Sequence, residues 1–382
     1  YIDEAFESNW VVPLGPNVDG FEADLHHFML KDHPQLEHKQ VVALSSRTAA
    51  IHLALLGCGV GPGDEVCVQS FTFCASCNPV RYVGGVPILI DSEPDTWNMD
   101  PTLLEQAIVE RKSITGRYPK AIIVVALYGM PYNIEAIMDI ANRYGIPVIE
   151  DAAEGLGSRY AGQALGTFGA YGVLSFNGNK MITTSGGGAL ICPDMDSKTR
   201  TLFYATQARD NYPYYEHTHI GYNYRLSNIC AGIGRGQMTI LNEHIAHHQR
   251  LAKMYEKALK GISGLSYHTN PDSRYESNYW LSCITLDEQV HVVGEEEVTI
   301  APQPIAPNRN IEALRIYMDK AGIETRPLWK PMHLQPIYAD APAYLNGVSE
   351  HLFRVGLCLP SGPMVTDEDF EYIISTLKEA IK

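Results

Sequence analysis

AIIVVALYGMPYNIEAIMDIANRYGIPVIED, residues 121–151, reads as a strand, a helix and a second strand. Ala121–Leu127 is an unbroken apolar run, and Pro147–Glu150 is a shorter one. Between them Ile134, Ile137, Met138 and Ala141 recur at helical spacing, which predicts a helix over Ile134–Tyr144. Strands apolar along their whole length are covered on both faces, and a strand–helix–strand repeat sets its strands parallel.

The same alternation extends outward on both sides. Val41–Ser45, Glu65–Ser70, Val86–Asp91, Gly172–Phe176 and Gly188–Cys192 read as further strands, with Thr48–Leu56 and Pro101–Glu110 as helices between them. The expected fold is α/β, with a mostly parallel seven-stranded sheet. After about residue 240 the pattern changes. A long helix over Thr239–Gly261 leads to a stretch rich in Glu, Gln, Pro and Asn from Asp287 to Asn310. Helices Ile311–Ala321 and Asp367–Ile381 then flank the Pro-rich segment Arg326–Gln335. This predicts an arm over residues 1–20, a large domain over 21–245 and a small α+β domain over 246–382.

Composition narrows the functional classes. A formal charge of −15 over 382 residues disfavours nucleic acid or an anionic membrane as partner, since both select basic surfaces. No apolar run reaches the ~18–20 residues needed to span a bilayer. The eight cysteines lie mostly within apolar stretches and read as core residues of a reducing compartment, so a cytoplasmic protein is expected. Cys74 and Cys77 have CxxC spacing without a second pair, and His244, His247 and His248 on one helix face lack further ligands, so no metal is expected. Gly57-Cys58-Gly59-Val60-Gly61 follows a helix, the reverse of a dinucleotide loop, and reads as a helix C-cap.

Three segments bring chemistry to the C-terminal ends of the strands, where α/β sheets bind ligands. In VVALSSRTAAIHLALL (41–56) a strand turns into a helix start, whose free N–H groups and the Ser46 and Thr48 hydroxyls favour an anion. In PVIEDAAEGLGS (147–158) Asp151 closes a buried strand and requires a cation or several donors. In YGVLSFNGNKMITTSGGGAL (171–190) Lys180 follows a strand end, with little charge around it to keep it protonated. Each segment alone has a plainer reading: ordinary helix capping for Ser46, Thr48 and Asp151, and a surface loop for Lys180.

Together they resemble the DegT/StrS-type nucleotide-sugar aminotransferases, a branch of the fold-type I pyridoxal-5′-phosphate (PLP) enzymes. The resemblance runs from Ser8-Asn9-Trp10 to the last helix. It implies that Lys180 of the S-F-x-x-x-K element is the Schiff-base lysine and that Ser175 contacts the cofactor phosphate. Asp151 of Glu150-Asp151-Ala152-Ala153-Glu154 would partner the pyridine nitrogen, with Glu154, a Gln in most members, facing the ring's 3′ oxygen. Phe73 of Ser70-Phe71-Thr72-Phe73 would stack on the ring, and Ser46, Arg47 and Thr48 would form the phosphate turn. Asn223 of Gly221-Tyr222-Asn223-Tyr224-Arg225 would reach the phosphate of a second subunit, implying a homodimer with shared active sites. Arg225, together with Trp329, Lys330 and His333 of the Arg326–His333 motif, would face substrate.

The implied reaction transfers an amino group from glutamate, leaving 2-oxoglutarate, to a nucleotide-linked keto-sugar. Phe176–Lys180, Ser185–Gly188 and Trp329–His333 look most like the bacillosamine-pathway branch, which aminates C4 of a UDP-linked 2-acetamido-4-keto-2,6-dideoxyhexose. The rivals are amination at C3 of a dTDP- or UDP-sugar, a PLP-dependent sugar dehydratase and a non-catalytic sensor. Dehydratases of the family carry His at the lysine position, and a sensor would have lost Lys180 or Asp151. Three departures stand out: Arg47 at the usual Gly of S-G-T, Ala126 at a common His, and Gly186 at a common Glu. The Arg47 side chain is expected to point away from the cofactor or else to add a cation beside it.

Overall fold

The computed structural model describes residues 1–300 and 305–381. Residues 301–304, within the polar stretch 287–310, and residue 382, at the end of the expected small domain, lie outside the described residues.

All seven expected strands form: β1 Gln40–Leu44, β2 Glu65–Gln69, β3 Val86–Ile90, β4 Ala121–Val125, β5 Val148–Asp151, β6 Tyr171–Ser175 and β7 Gly188–Cys192. Five of the later strands are β8 Leu265–Tyr267, β9 Ser282–Leu286, β10 Arg326–Pro327, β11 Ala343–Tyr344 and β12 Gly356–Leu359. The main sheet has the order β1-β7-β6-β5-β4-β2-β3-β11. It therefore holds eight strands, not seven. The addition, β11, pairs parallel to β3 through two residues, too short a segment to carry a periodic signal. Strand β7 runs antiparallel to both neighbours, and every other pairing is parallel.

Alternate side chains of β4 enter different cores. Ile122 and Val124 pack with Phe21, Leu25 and Ile137 on one face, while Ala121 and Ile123 pack with Ile51, Leu55 and Val66 on the other. Such burial on both faces explains the unbroken apolar runs. The helix Ile134–Tyr144 has the expected bounds. Asn133 Oδ1 accepts the Ala136 N–H at 3.3 Å, and Gly145 ends the helix in the left-handed region at φ 65°.

A second, antiparallel sheet has the order β8-β9-β12-β10. It shares a core of Ile284, Leu286, Leu357 and Leu359 with the helices Leu241–Leu259, Arg309–Lys320 and Asp367–Ala380. Neither expected boundary falls at a chain break. The helix Pro16–Leu30 runs through residue 20, and Leu241–Leu259 runs through residue 245. Pro16 occupies the first turn of its helix, where its missing N–H breaks no hydrogen bond. No helix among the described residues is long and apolar enough to cross a membrane.

Candidate active site

Sheet register gathers the three chemical segments. Asp151 lies opposite Val125 and Val173, Ser175 opposite Gly188, and Gly188 opposite Leu44. The ends of β1, β5 and β6 and the start of β7 thus share one edge. Above that edge opens a cavity of about 1210 Å³, which extends toward the second sheet as far as Arg326 and Tyr372.

The start of the helix Arg47–Gly57 forms one wall. Ser46 caps it, accepting the Ala49 N–H at 3.1 Å, and both Ser46 and Thr48 line the cavity. Strand β7 presses closely against this turn. A Cβ on Gly188 would lie 2.4 Å from the Arg47 nitrogen, so only glycine allows the approach. Ser175, buried at the end of β6, also lines the cavity.

Asp151 is buried at the end of β5, bonded to Arg47, which lines the cavity. Its Oδ2 accepts from Arg47 Nε at 3.0 Å, from Arg47 Nη2 and from Ser76 Oγ at 2.7 Å, while Oδ1 accepts the Ala153 N–H at 3.3 Å. Arg47 therefore points inward, toward the carboxylate. It is only 7% exposed. The site thus includes Ser76, which sequence reasoning passed over inside the Cys74–Cys77 segment. Both of those cysteines are free, and no metal-binding cluster occurs among the described residues.

Lys180 follows a turn closed by its own N–H on Asn177 O at 3.0 Å. Its Nζ lies 3.3 Å from Glu154 Oε1 and 3.6 Å from the centroid of the Trp280 ring. Burial lowers the Lys180 pKa more than Glu154 and Asp151 raise it, and Arg47 lowers it further. Burial likewise raises that of Glu154, against the opposing effects of Lys180 and Arg47. Burial thus works against the charged form of both members of this 3.3 Å pair, while their mutual attraction opposes it. Trp280 also went unread in the sequence. Its Nε1 donates to Asn179 O at 2.7 Å, holding the lysine turn against it.

Phe73, half exposed, tilts against Trp329 with ring centroids 5.7 Å apart, and both line the cavity. The remaining expected residues lie elsewhere. His333 Nδ1 meets Ser70 Oγ at 2.7 Å and its Nε2 meets Glu350 at 3.2 Å, away from the cavity lining. Lys330 also lies off the lining, and its carbonyl accepts from Gln335 at 3.3 Å. Arg225 is held by Glu22 and by the Ala43 carbonyl at 2.9 Å. Asn223 is exposed, accepting from Gln207 Nε2 at 3.0 Å.

The arrangement fits a flat, anionic aromatic aldehyde such as PLP. A buried carboxylate bonded to the cavity-lining Arg47 keeps a lightly used oxygen, Oδ1, the desolvated Lys180 amine lines the same cavity, and helix N–H groups with hydroxyls offer an anion site.

Known proteins resemble this chain in sequence and in fold. The pattern described as the DegT/DnrJ/EryC1/StrS aminotransferase family matches residues 1–378. EpsN of Bacillus subtilis, whose name assigns it to the pyridoxal phosphate-dependent aminotransferases, is 43% identical over 381 residues, 99% of this chain and 91% of that protein. GDP-perosamine synthase of Escherichia coli O157:H7 is 33% identical over 99% of this chain and 94% of its own length. A DegT DnrJ EryC1 StrS aminotransferase from Brucella abortus has a crystal structure that superposes with a TM-score of 0.85. It is 28% identical, covering 99% of this chain and 93% of that one.

Proposed function

Because this chain belongs to the DegT/DnrJ/EryC1/StrS aminotransferase family, and so is a PLP-dependent enzyme, we propose that it moves an amino group from glutamate to a nucleotide-linked keto-sugar. The position favoured is C4 of a UDP-2-acetamido-4-keto-2,6-dideoxyhexose. The observation that carries the reading is the desolvated Lys180 amine beside Glu154, with the buried Asp151 bonded to Arg47, at the head of a cavity of about 1210 Å³. The cavity's extension past Phe73 and Trp329 toward Arg326 leaves length for a sugar carrying a nucleotide.

PLP, when bound, supplies an aldehyde carbon that takes up an amine and a ring that accepts the electron pair of a broken C–H bond. Lys180 Nζ is the attachment point. Its burial favours the neutral amine, so it also serves as the base that takes the proton from the donor's α-carbon and later returns one to the sugar carbon. Asp151 holds the proton on the ring nitrogen through Oδ1. Glu154, biased toward its acid form, offers a hydrogen bond to the ring's 3′ oxygen. Ser46, Thr48, Ser175 and the N-terminus of the helix Arg47–Gly57 anchor the phosphate. Phe73 covers one ring face.

Asn223 completes the phosphate site of a second copy, so the working unit is a homodimer. Its exposure, with that of Phe6, Trp10, Tyr215 and Ile220, supports such an interface. Arg225 and His333 take structural roles, tying Glu22 to β1 and Ser70 to Glu350. A GDP-linked sugar is the second reading, favoured by the likeness to GDP-perosamine synthase.

The purified protein should be yellow, absorbing at about 400–430 nm as a lysine-bound cofactor does. Lys180→Ala should lose that band and at least about 10³-fold of activity, the scale of general acid–base catalysis. UDP-, GDP- and dTDP-linked 3-keto and 4-keto sugars should be incubated with glutamate and the products identified by NMR. A panel in which no sugar gains an amine would sink the reading.

A further inference from the structure

Arg47 stands where the family pattern has glycine, and its guanidinium is turned onto the buried Asp151. Arg47 Nε donates to Asp151 Oδ2 at 3.0 Å, and Nη2 reaches both that oxygen and Ser76 Oγ, the latter at 2.5 Å. Ser76 Oγ donates to the same Oδ2 at 2.7 Å. A hydroxyl has one proton to give, so the 2.7 Å contact with Thr72 Oγ1 is donated by Thr72. Oδ2 thus receives three donors, two of them from a cation. Oδ1 receives the Ala153 N–H at 3.3 Å and is the oxygen left to face a ring nitrogen. The whole group is buried: Asp151 is 1% exposed, and Ser76 and Thr72 are fully enclosed.

The geometry points to Arg47 as a positioning residue that, through Asp151, weakens the grip on the ring-nitrogen proton. The inference rests on the reading that Asp151 faces that nitrogen. Two physical effects act in the same direction. Hydrogen bonds from a guanidinium draw negative charge toward Oδ2 and leave less on Oδ1. The guanidinium is also a positive charge near a second cation, the protonated ring, in a site of low dielectric. Asp151 shared between two cations is a weaker counter-ion for either. The ring in this chain is therefore a milder electron acceptor than in a relative with glycine at this position, and Ser76 strengthens the effect by fixing the guanidinium against one oxygen.

The test is the ring-nitrogen NMR signal of the holoenzyme reconstituted with 15N-labelled PLP, recorded at one pH near neutrality. In Arg47→Gln the signal should move toward the protonated-pyridine position relative to the parent. Ser76→Ala, which leaves the guanidinium in place, should move it the same way by less. Asp151→Asn should move it toward the unprotonated position. A signal in Arg47→Gln that stays at the parent position, or moves toward the unprotonated one, overturns the role of Arg47. If Asp151→Asn leaves the signal unmoved, the underlying reading that Asp151 faces the ring nitrogen fails, whatever the Arg47 variant does. Should Arg47→Gln fold poorly, Arg47→Lys keeps a charge but cannot span both partners, and it should move the signal toward the protonated-pyridine position, as Ser76→Ala does. No shift in either Arg47→Lys or Ser76→Ala overturns the proposal.

Discussion

Glu154 shows how one side chain is tuned by its surroundings. The usual glutamine of the family would offer an N–H to the cofactor, and a buried carboxyl favoured in its acid form offers an O–H of the same shape. The sign of the stability effect follows. Unfolded, Glu154 ionises near 4.5; folded, burial pushes that point up. Keeping the group protonated, or ionising it in place, therefore destabilises the folded chain increasingly as pH rises above 4.5, and not below it. In protein stripped of cofactor, Glu154→Gln should melt with the parent near pH 4 and about 2–4 °C higher at pH 8, the shift that ~1 kcal/mol produces in domains of moderate size. Activity should stay within about tenfold of the parent, since a hydrogen-bond donor is retained. Equal melting temperatures at both pH values would refute the bias toward the acid form. Glu154→Ala also removes the acceptor for the Tyr128 N–H, now bonded at 2.7 Å, and should be less stable than either.

Among the elements, one close junction bears directly on the site, that between β7 and the turn before the helix Arg47–Gly57. The atoms that a Cβ on Gly188 would strike, the Arg47 nitrogen at 2.4 Å and the Ser46 carbonyl carbon at 2.5 Å, are backbone and cannot rotate away. Gly188→Ala should cost about 1–3 kcal/mol, as overpacking does, and should weaken cofactor binding by displacing the helix start; calorimetry and cofactor titration would read the two losses. Elements of this kind are legible in the sequence because covered strands must be apolar throughout, and the same runs place Asp151 at the end of one strand and Lys180 in the turn beyond another. Partners that depend on tertiary placement were not. Ser76 sits in a single turn, Cys74–Ser76, with no periodicity to mark it. Trp280 arrives from a hundred residues beyond the lysine turn, after Tyr279 at φ 49°. Arg225 and His333 match the motif by identity, yet Glu22, Ser70 and Glu350 claim their side chains. A motif fixes the residue type, and the neighbours decide what the side chain touches.

For the whole molecule, two enclosed histidines bear on stability in acid. His268 lies flat on Trp97 with ring centroids 3.7 Å apart, and burial lowers its pKa to about 3; burial lowers that of His248 to about 4. Both bind a proton far more readily when unfolded, near 6.5. The stability they contribute is fully present above pH 6.5 and falls by about 1.4 kcal/mol per pH unit for each group as pH drops toward 4. His268→Phe, which preserves a flat ring against Trp97, should flatten the loss of denaturation midpoint between pH 6 and 4; an unchanged slope would contradict the assignment. The shared-site dimer has its own check. Lys180→Ala and Asn223→Ala proteins, each impaired alone, should regain up to about a quarter of parent activity when refolded as a mixture, because half the dimers then carry one intact site. No recovery would mean that each chain builds its site unaided. Strand β11 adds a constraint of a different kind. It covers the outer side of β3 and is made roughly 250 residues later during synthesis, so β3 stays open to any passing strand until nearly the entire chain has left the ribosome. Translation stalled before Ala343 should therefore yield a fragment that clumps through β3, and the chain gains its guard on that edge only in the last tenth of its manufacture.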